Sequence, residues 1–140
     1  NCDPICYIAD QPTKLHSKQK SLYSPLIYWA EKFLSITLNE GSGLLFIEQP
    51  LLNSGKIKKY LDELDNFHLT AINEITKSLG SLFTCLALYK NAINQETAWE
   101  VANVEDNFRI EVWGEVEEET LIKKVNFDHF NSLVNILKMI

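Results

Sequence analysis

At 140 residues and 46% hydrophobic content, the chain can bury one real core, and with 23% charged residues it is not composed like a disordered one. A net charge of −6 and a pI near 5.0 argue against nucleic acid and anionic membrane as partners, because both demand a basic footprint. A basic or apolar protein surface fits better.

The first 13 residues read as extended. Ile5 and Tyr7, flanked by Pro4 and Pro12, suit an edge strand or strap. Asn1 is not an initiator methionine, so a processed chain or a fragment is expected, with residues 1–13 an extended segment and residues 14–140 a helical domain. Lys14 to Leu22 is polar, enough for a short helical turn. Ser24-Pro25 then reads as a helix start, serine capping and proline at the first helical position, with the helix ending near Ser35. Asn39 to Pro50 is a connection whose apolar piece Leu44–Ile47 suits a short extended segment.

Ile57, Tyr60, Leu61 and Leu64 mark a second helix over about 53–64, and Asp65 or Asn66 can cap a third. Ile72, Ile75, Leu79, Leu82 and Leu86 alternate three and four residues apart, the seam of a tightly packed helix. Its second half is apolar nearly all round, so it should be the central buried element. Gly80-Ser81 within it is expected to let another helix approach. Asn94 caps a short helix through Trp99 and Ala102. Another helix is expected over Asn107–Glu119, starting near Asn103, and a last one from about Asn126, with Phe127, Phe130, Leu133, Val134 and Leu137 at helical spacing.

The Asn107–Glu119 helix is the informative one. Read as continuous, it puts Ile110, Trp113, Glu117 and Leu121 on one stripe and Val101, Val104, Phe108 and Val112 nearly opposite. A second apolar stripe asks for a second partner. A carboxylate inside it is costly unless something pairs with it. The fold expected from all this is mainly α, an orthogonally packed multi-helix domain with a short extended N-terminal segment.

Chemistry beyond binding is thinly supported. Three cysteines, at positions 2, 6 and 85, form no disulfide framework and suggest a reducing compartment. Cys85 lies in an apolar run, where a thiol behaves as a small hydrophobe. Cys2, Cys6 and His16 lack a fourth ligand at a familiar spacing. Gly41-Ser42-Gly43 lacks the flanks of a phosphate loop, and no nucleophile elbow occurs. His68 and His129 stand alone. No apolar run approaches the ~20 residues a membrane span needs, and no leader is read at the start. A soluble chain without cofactor, metal or catalytic residues is expected. Glu115, Glu118 and Glu119 read as a solvated face; Glu117 differs because of the stripe it shares with Trp113.

Set end to end, these residues resemble a known family, the assembly chaperones of the ATP synthase catalytic sector that bind its alpha subunit. The resemblance covers almost the whole chain. It runs from Asp3-Pro4-Ile5-Cys6-Tyr7 through the stretch Gln19 to Phe33, Gln49-Pro50, Leu79-Gly80-Ser81, Leu86-Ala87-Leu88 and Glu96-Thr97-Ala98. It closes on Ile110-Glu111-Val112-Trp113-Gly114-Glu115-Val116-Glu117, the most specific motif. Tyr23-Ser24 stands where the family has tryptophan and aspartate, and Arg109 where it has glutamine, which puts a side-chain hydrogen bond there in question.

The resemblance implies a β-rich N-terminal domain ahead of this helical part, of which residues 1–13 would be the edge or remnant, and a function without catalysis. The domain would hold the unassembled alpha subunit and shield the surface later given to the beta subunit. The family's acidic position after the Trp-Gly pair falls on Glu117. The partner-binding residues expected are thus Glu117, Trp113, Gly114, Ile110 and Leu121, on a monomer in an alphaproteobacterial cytoplasm or a mitochondrial matrix. Two other classes stay open, a small carboxylate-dependent enzyme and a structural helical adaptor in a permanent complex. A pocket holding Glu117 beside a second titratable group would favour the enzyme.

Overall fold

The computed structural model describes residues 3–10, 12–42 and 48–140. Cys2 and the Leu44–Ile47 stretch expected to be extended lie outside them. In chain order, a 3-10 turn at Pro4–Cys6 leads into β1 (Tyr7–Ile8), α1 (Thr13–Leu34), β2 (Gly41–Ser42), α2 (Leu52–Asp62), α3 (Asn66–Leu79), α4 (Leu82–Tyr89), α5 (Gln95–Ala102), α6 (Val104–Trp113) and α7 (Glu117–Met139). The mainly helical fold expected from the sequence is what forms. β1 and β2 pair in parallel, Tyr7 opposite Gly41 and Ile8 opposite Ser42.

Pro25 lies inside α1 and does not begin it. A proline there removes one hydrogen bond and normally breaks a helix. Here Leu15, Gln19, Tyr23, Leu26, Ile27, Ala30 and Leu34 form one buried stripe that runs straight past it. Pro25 and Ser21, the residue whose carbonyl the missing N–H would have met, are both exposed, so water can satisfy that carbonyl. Burial on one face overrides the local start signal.

The seam expected as one helix from Ile72 to Leu86 is two. Gly80 closes α3 at φ +74°, the left-handed conformation that glycine adopts without steric penalty. A Cβ at Gly80 would meet nothing within 4 Å, so the glycine serves the turn and not a close helix approach. Ser81 then caps α4 by accepting from the Thr84 N–H. Asp65 caps α3 and Asn94 caps α5 as read from the sequence.

The buried element is α4, as expected, with Phe83 to Leu88 all inside. It packs between α1, α3 and α5, while α3 also packs on α7. Cys85 is fully buried, and burial pushes its thiol up to about 11, consistent with an inert packing residue. Phe130 of α7 is fully buried and stacks on Trp99 at 5.0 Å.

The N-terminal segment is fastened to this core by one carboxylate. Asp3 accepts from Ser81 Oγ at 2.7 Å, the Phe83 N–H at 3.1 Å and the Ile5 N–H at 3.2 Å. Burial raises its pKa from the ordinary 3.8, outweighing the lowering by those hydrogen bonds. The folded state therefore binds the proton more tightly than the unfolded chain does. That contribution is full below about pH 4 and fades as pH rises through the raised value. Asp3→Asn should flatten the pH dependence of the melting temperature above pH 4; an unchanged slope would show that Asp3 is not its source.

Candidate functional site: an apolar and acidic corner between two helices

The residues singled out in the sequence gather at the α6–α7 corner, though not on one helix. Gly114 sits at φ +86° and ψ 169°, a region open essentially to glycine alone. Its N–H still closes α6 by donating to the Ile110 carbonyl at 2.8 Å. The chain then runs extended through Val116 and re-enters a helix at Glu117. A continuous Asn107–Glu119 helix is thus replaced by a break, and the single stripe from Ile110 to Leu121 does not exist. The expected opposite flank is also only partly right: Val101 and Val104 are buried and Phe108 half-buried, but Val112 is exposed.

The same residues instead flank the break, Ile110 and Trp113 at the end of α6 and Glu117 and Leu121 at the start of α7. Trp113 is 82% exposed and Leu121 61%. Val112, Val116, Ile122 and Val125 are exposed beside them in the chain. Single exposed hydrophobics are ordinary, whereas Val112, Trp113, Val116, Leu121, Ile122 and Val125 put six within fourteen residues around the break. Gly114 and Glu117 are exposed, and Ile110 is half-buried.

The corner is braced by polar contacts. Arg109 of α6 donates to Glu119 of α7 at 2.8 Å, and Lys123 Nζ donates to Asn107 Oδ1 at 2.7 Å. Arg109 thus keeps a side-chain hydrogen bond at the position where glutamine was expected. Lys18 of α1 meets Glu111 at 2.9 Å, and this hydrogen bond and the ammonium charge hold the Glu111 carboxyl below its ordinary pKa. Exposed pairs of this kind add little stability; they fix where the corner points. Glu115, Glu117 and Glu118 make no ion pair or side-chain hydrogen bond among the described residues. Glu117, Glu118 and Glu119 fill the first turn of α7, whose start has no side-chain cap. Carboxylates suit the positive end of a helix there.

Three surface residues carry no mark in the sequence pattern used above: with the last helix expected from about Asn126, Ile122, Lys123 and Val125 fall between two expected helices. The i, i+4 pair Leu121–Val125 was the available signal. Of the metal candidates, Cys6 is buried and His16 Nδ1 lies 2.9 Å from the Ala9 carbonyl. No helix among the described residues is long and apolar enough to cross a membrane.

The corner thus presents apolar residues and carboxylates on a braced helical scaffold. The fold that carries it is that of the Atp12-like assembly chaperones. Atp12 from Paracoccus denitrificans superimposes with a TM-score of 0.91 and 27% identity, over 97% of this chain and 58% of that one. A single-substitution variant of the same protein gives the same values. Atu1473 from Agrobacterium tumefaciens, described as a candidate chaperone, gives 0.87 and 26% identity over 97% of this chain and 51% of its own. The chain thus spans little more than half the length of these proteins. No family model matches the sequence.

Proposed function

We propose that this domain is the client-holding part of an assembly chaperone for the ATP synthase catalytic sector. It holds the unassembled alpha subunit and shields the surface that subunit later gives to the beta subunit. The observation that carries the reading is the exposed Trp113–Glu117 corner on an Atp12-like fold. A surface made for a subunit interface is apolar with embedded charge, so its temporary cover needs the same composition with opposite sign. Trp113 and Leu121 supply apolar area. Glu117 supplies the carboxylate for an arginine or lysine of the client.

The role is non-catalytic. Glu117 stands on an open corner and lines neither the groove beside α2 nor the recess between α6 and α7. An acid or base would need a shielded position beside a reacting group. The domain acts as a monomer, in an alphaproteobacterial cytoplasm or a mitochondrial matrix.

Co-expression with an ATP synthase alpha subunit tests the reading. The client should stay soluble and co-purify with the domain. Precipitation of the client to the same extent with and without it would refute the role. Trp113→Ala sharpens the test. With its ring already in solvent, truncation should change stability by no more than about 0.5 kcal/mol, while loss of a central aromatic anchor should weaken client binding by at least ~2 kcal/mol. A large fall in melting temperature would make Trp113 a packing residue instead.

A further inference from the structure

A recess of about 450 Å³ is walled by α6 and α7 and backed by α3 and α5, with Ile110 and Ile122 among its lining residues and Glu117 outside them. Its lining carries Lys77, Arg109 and Lys123 with Asp106 and Glu119, a concentration of cations in a chain of net charge −6. Two of the three cations are already answered, Lys77 by Glu74 at 3.2 Å and Arg109 by Glu119 at 2.8 Å. Lys123 is different. It is half-buried, and its ammonium meets the neutral amide oxygen of Asn107, with no carboxylate within 4.0 Å among the described residues.

A cation partly removed from water gains most from an anionic partner. Ile110 and Ile122 lead from the exposed corner into the recess, so one bound segment could cover both. Resting on the client-holding role above, we infer that the recess between α6 and α7 receives an acidic side chain of the client, whose carboxylate pairs with Lys123 while a basic client residue meets Glu117. The holding surface is therefore bipolar. It selects client segments in which apolar residues separate a basic from an acidic one, and like-charge contact rejects segments laid down in the reverse direction.

The test measures binding of the ATP synthase alpha subunit to the parent domain, Lys123→Met, Lys123→Arg and Asn126→Asp. Asn126 also lines the recess, one helical turn after Lys123, so an aspartate there sets a competing carboxylate beside that ammonium while Lys123 itself is kept. If the parent does not retain the alpha subunit at all, the client-holding role itself fails, and this inference with it. If the parent retains it, Lys123→Met and Asn126→Asp should each weaken binding about tenfold with unchanged circular dichroism, while Lys123→Arg stays close to the parent. Equal binding by the parent, Lys123→Met and Asn126→Asp overturns the acidic side chain in the recess and leaves the corner itself standing. Should Lys123→Met misfold, Asn126→Asp alone decides.

Discussion

Glu117→Lys is expected to fold like the parent and lose the alpha subunit. The folded state has little stake in this carboxylate, which is exposed and free of ion pairs among the described residues. Its one structural service is to the start of α7, where an acid in the first turn is worth ~0.3–1 kcal/mol against the helix dipole. Glu118 and Glu119 remain in that turn, so the melting temperature should fall by only a few degrees. Binding is another matter. A charge pair desolvated in an interface loses ~2–5 kcal/mol when one partner is removed, mostly because the other is stranded. Reversal adds repulsion between two cations, so retention of the client should drop by at least about thirtyfold. Co-purification from cells, with circular dichroism of the variant alongside, checks both halves. A folded variant that retains the client as well as the parent would remove Glu117 from the site.

Phe130→Ala should do the reverse, costing ~3–5 kcal/mol of folding stability. Phe130 is fully buried and is flanked by Trp99, which also touches Phe127 at 5.4 Å. Removing the ring leaves a cavity between α5 and α7 that a large indole cannot fill without leaving its own contacts. Against a typical total of ~5–15 kcal/mol, that is a large share, and the melting temperature should fall by about 10–20 °C. Phe127 is only half-buried, so Phe127→Ala should cost clearly less. Equal losses at the two positions would mean that Phe130 is not the anchor of α7.

The helices were legible where burial and local chemistry agree. Ile72, Ile75 and Leu79 mark α3, and Asp65 and Asn94 cap as their side chains suggest, because a short acceptor before an apolar run has little else to do. The reading failed where a distant partner decides. Ser24-Pro25 has every local mark of a helix start, yet the stripe from Leu15 to Leu34 carries the helix through it. Gly80 and Gly114 could each have been a tolerated glycine in a helix, and only their positive φ shows that they end one. The acidic run after Gly114 concealed the beginning of α7, since carboxylates at a helix start and on a solvated loop look alike in sequence. The corner residues could be named in advance. Their arrangement around a break, and Lys123 in the recess beside them, could not.

Asp3 reaches Ser81 across 78 positions of chain, and this separation sets an order in time. During synthesis at roughly 5–20 residues per second, the strap leaves the ribosome about 4–16 s before the hydroxyl that will anchor it. Ile5 and Cys6, both sealed in the finished domain, have α1 to pack against during that wait but not yet α4. The strap thus takes its anchor only once α4 has emerged, while α5, α6 and α7 are still to come, and until then a nascent copy stays open to stray association.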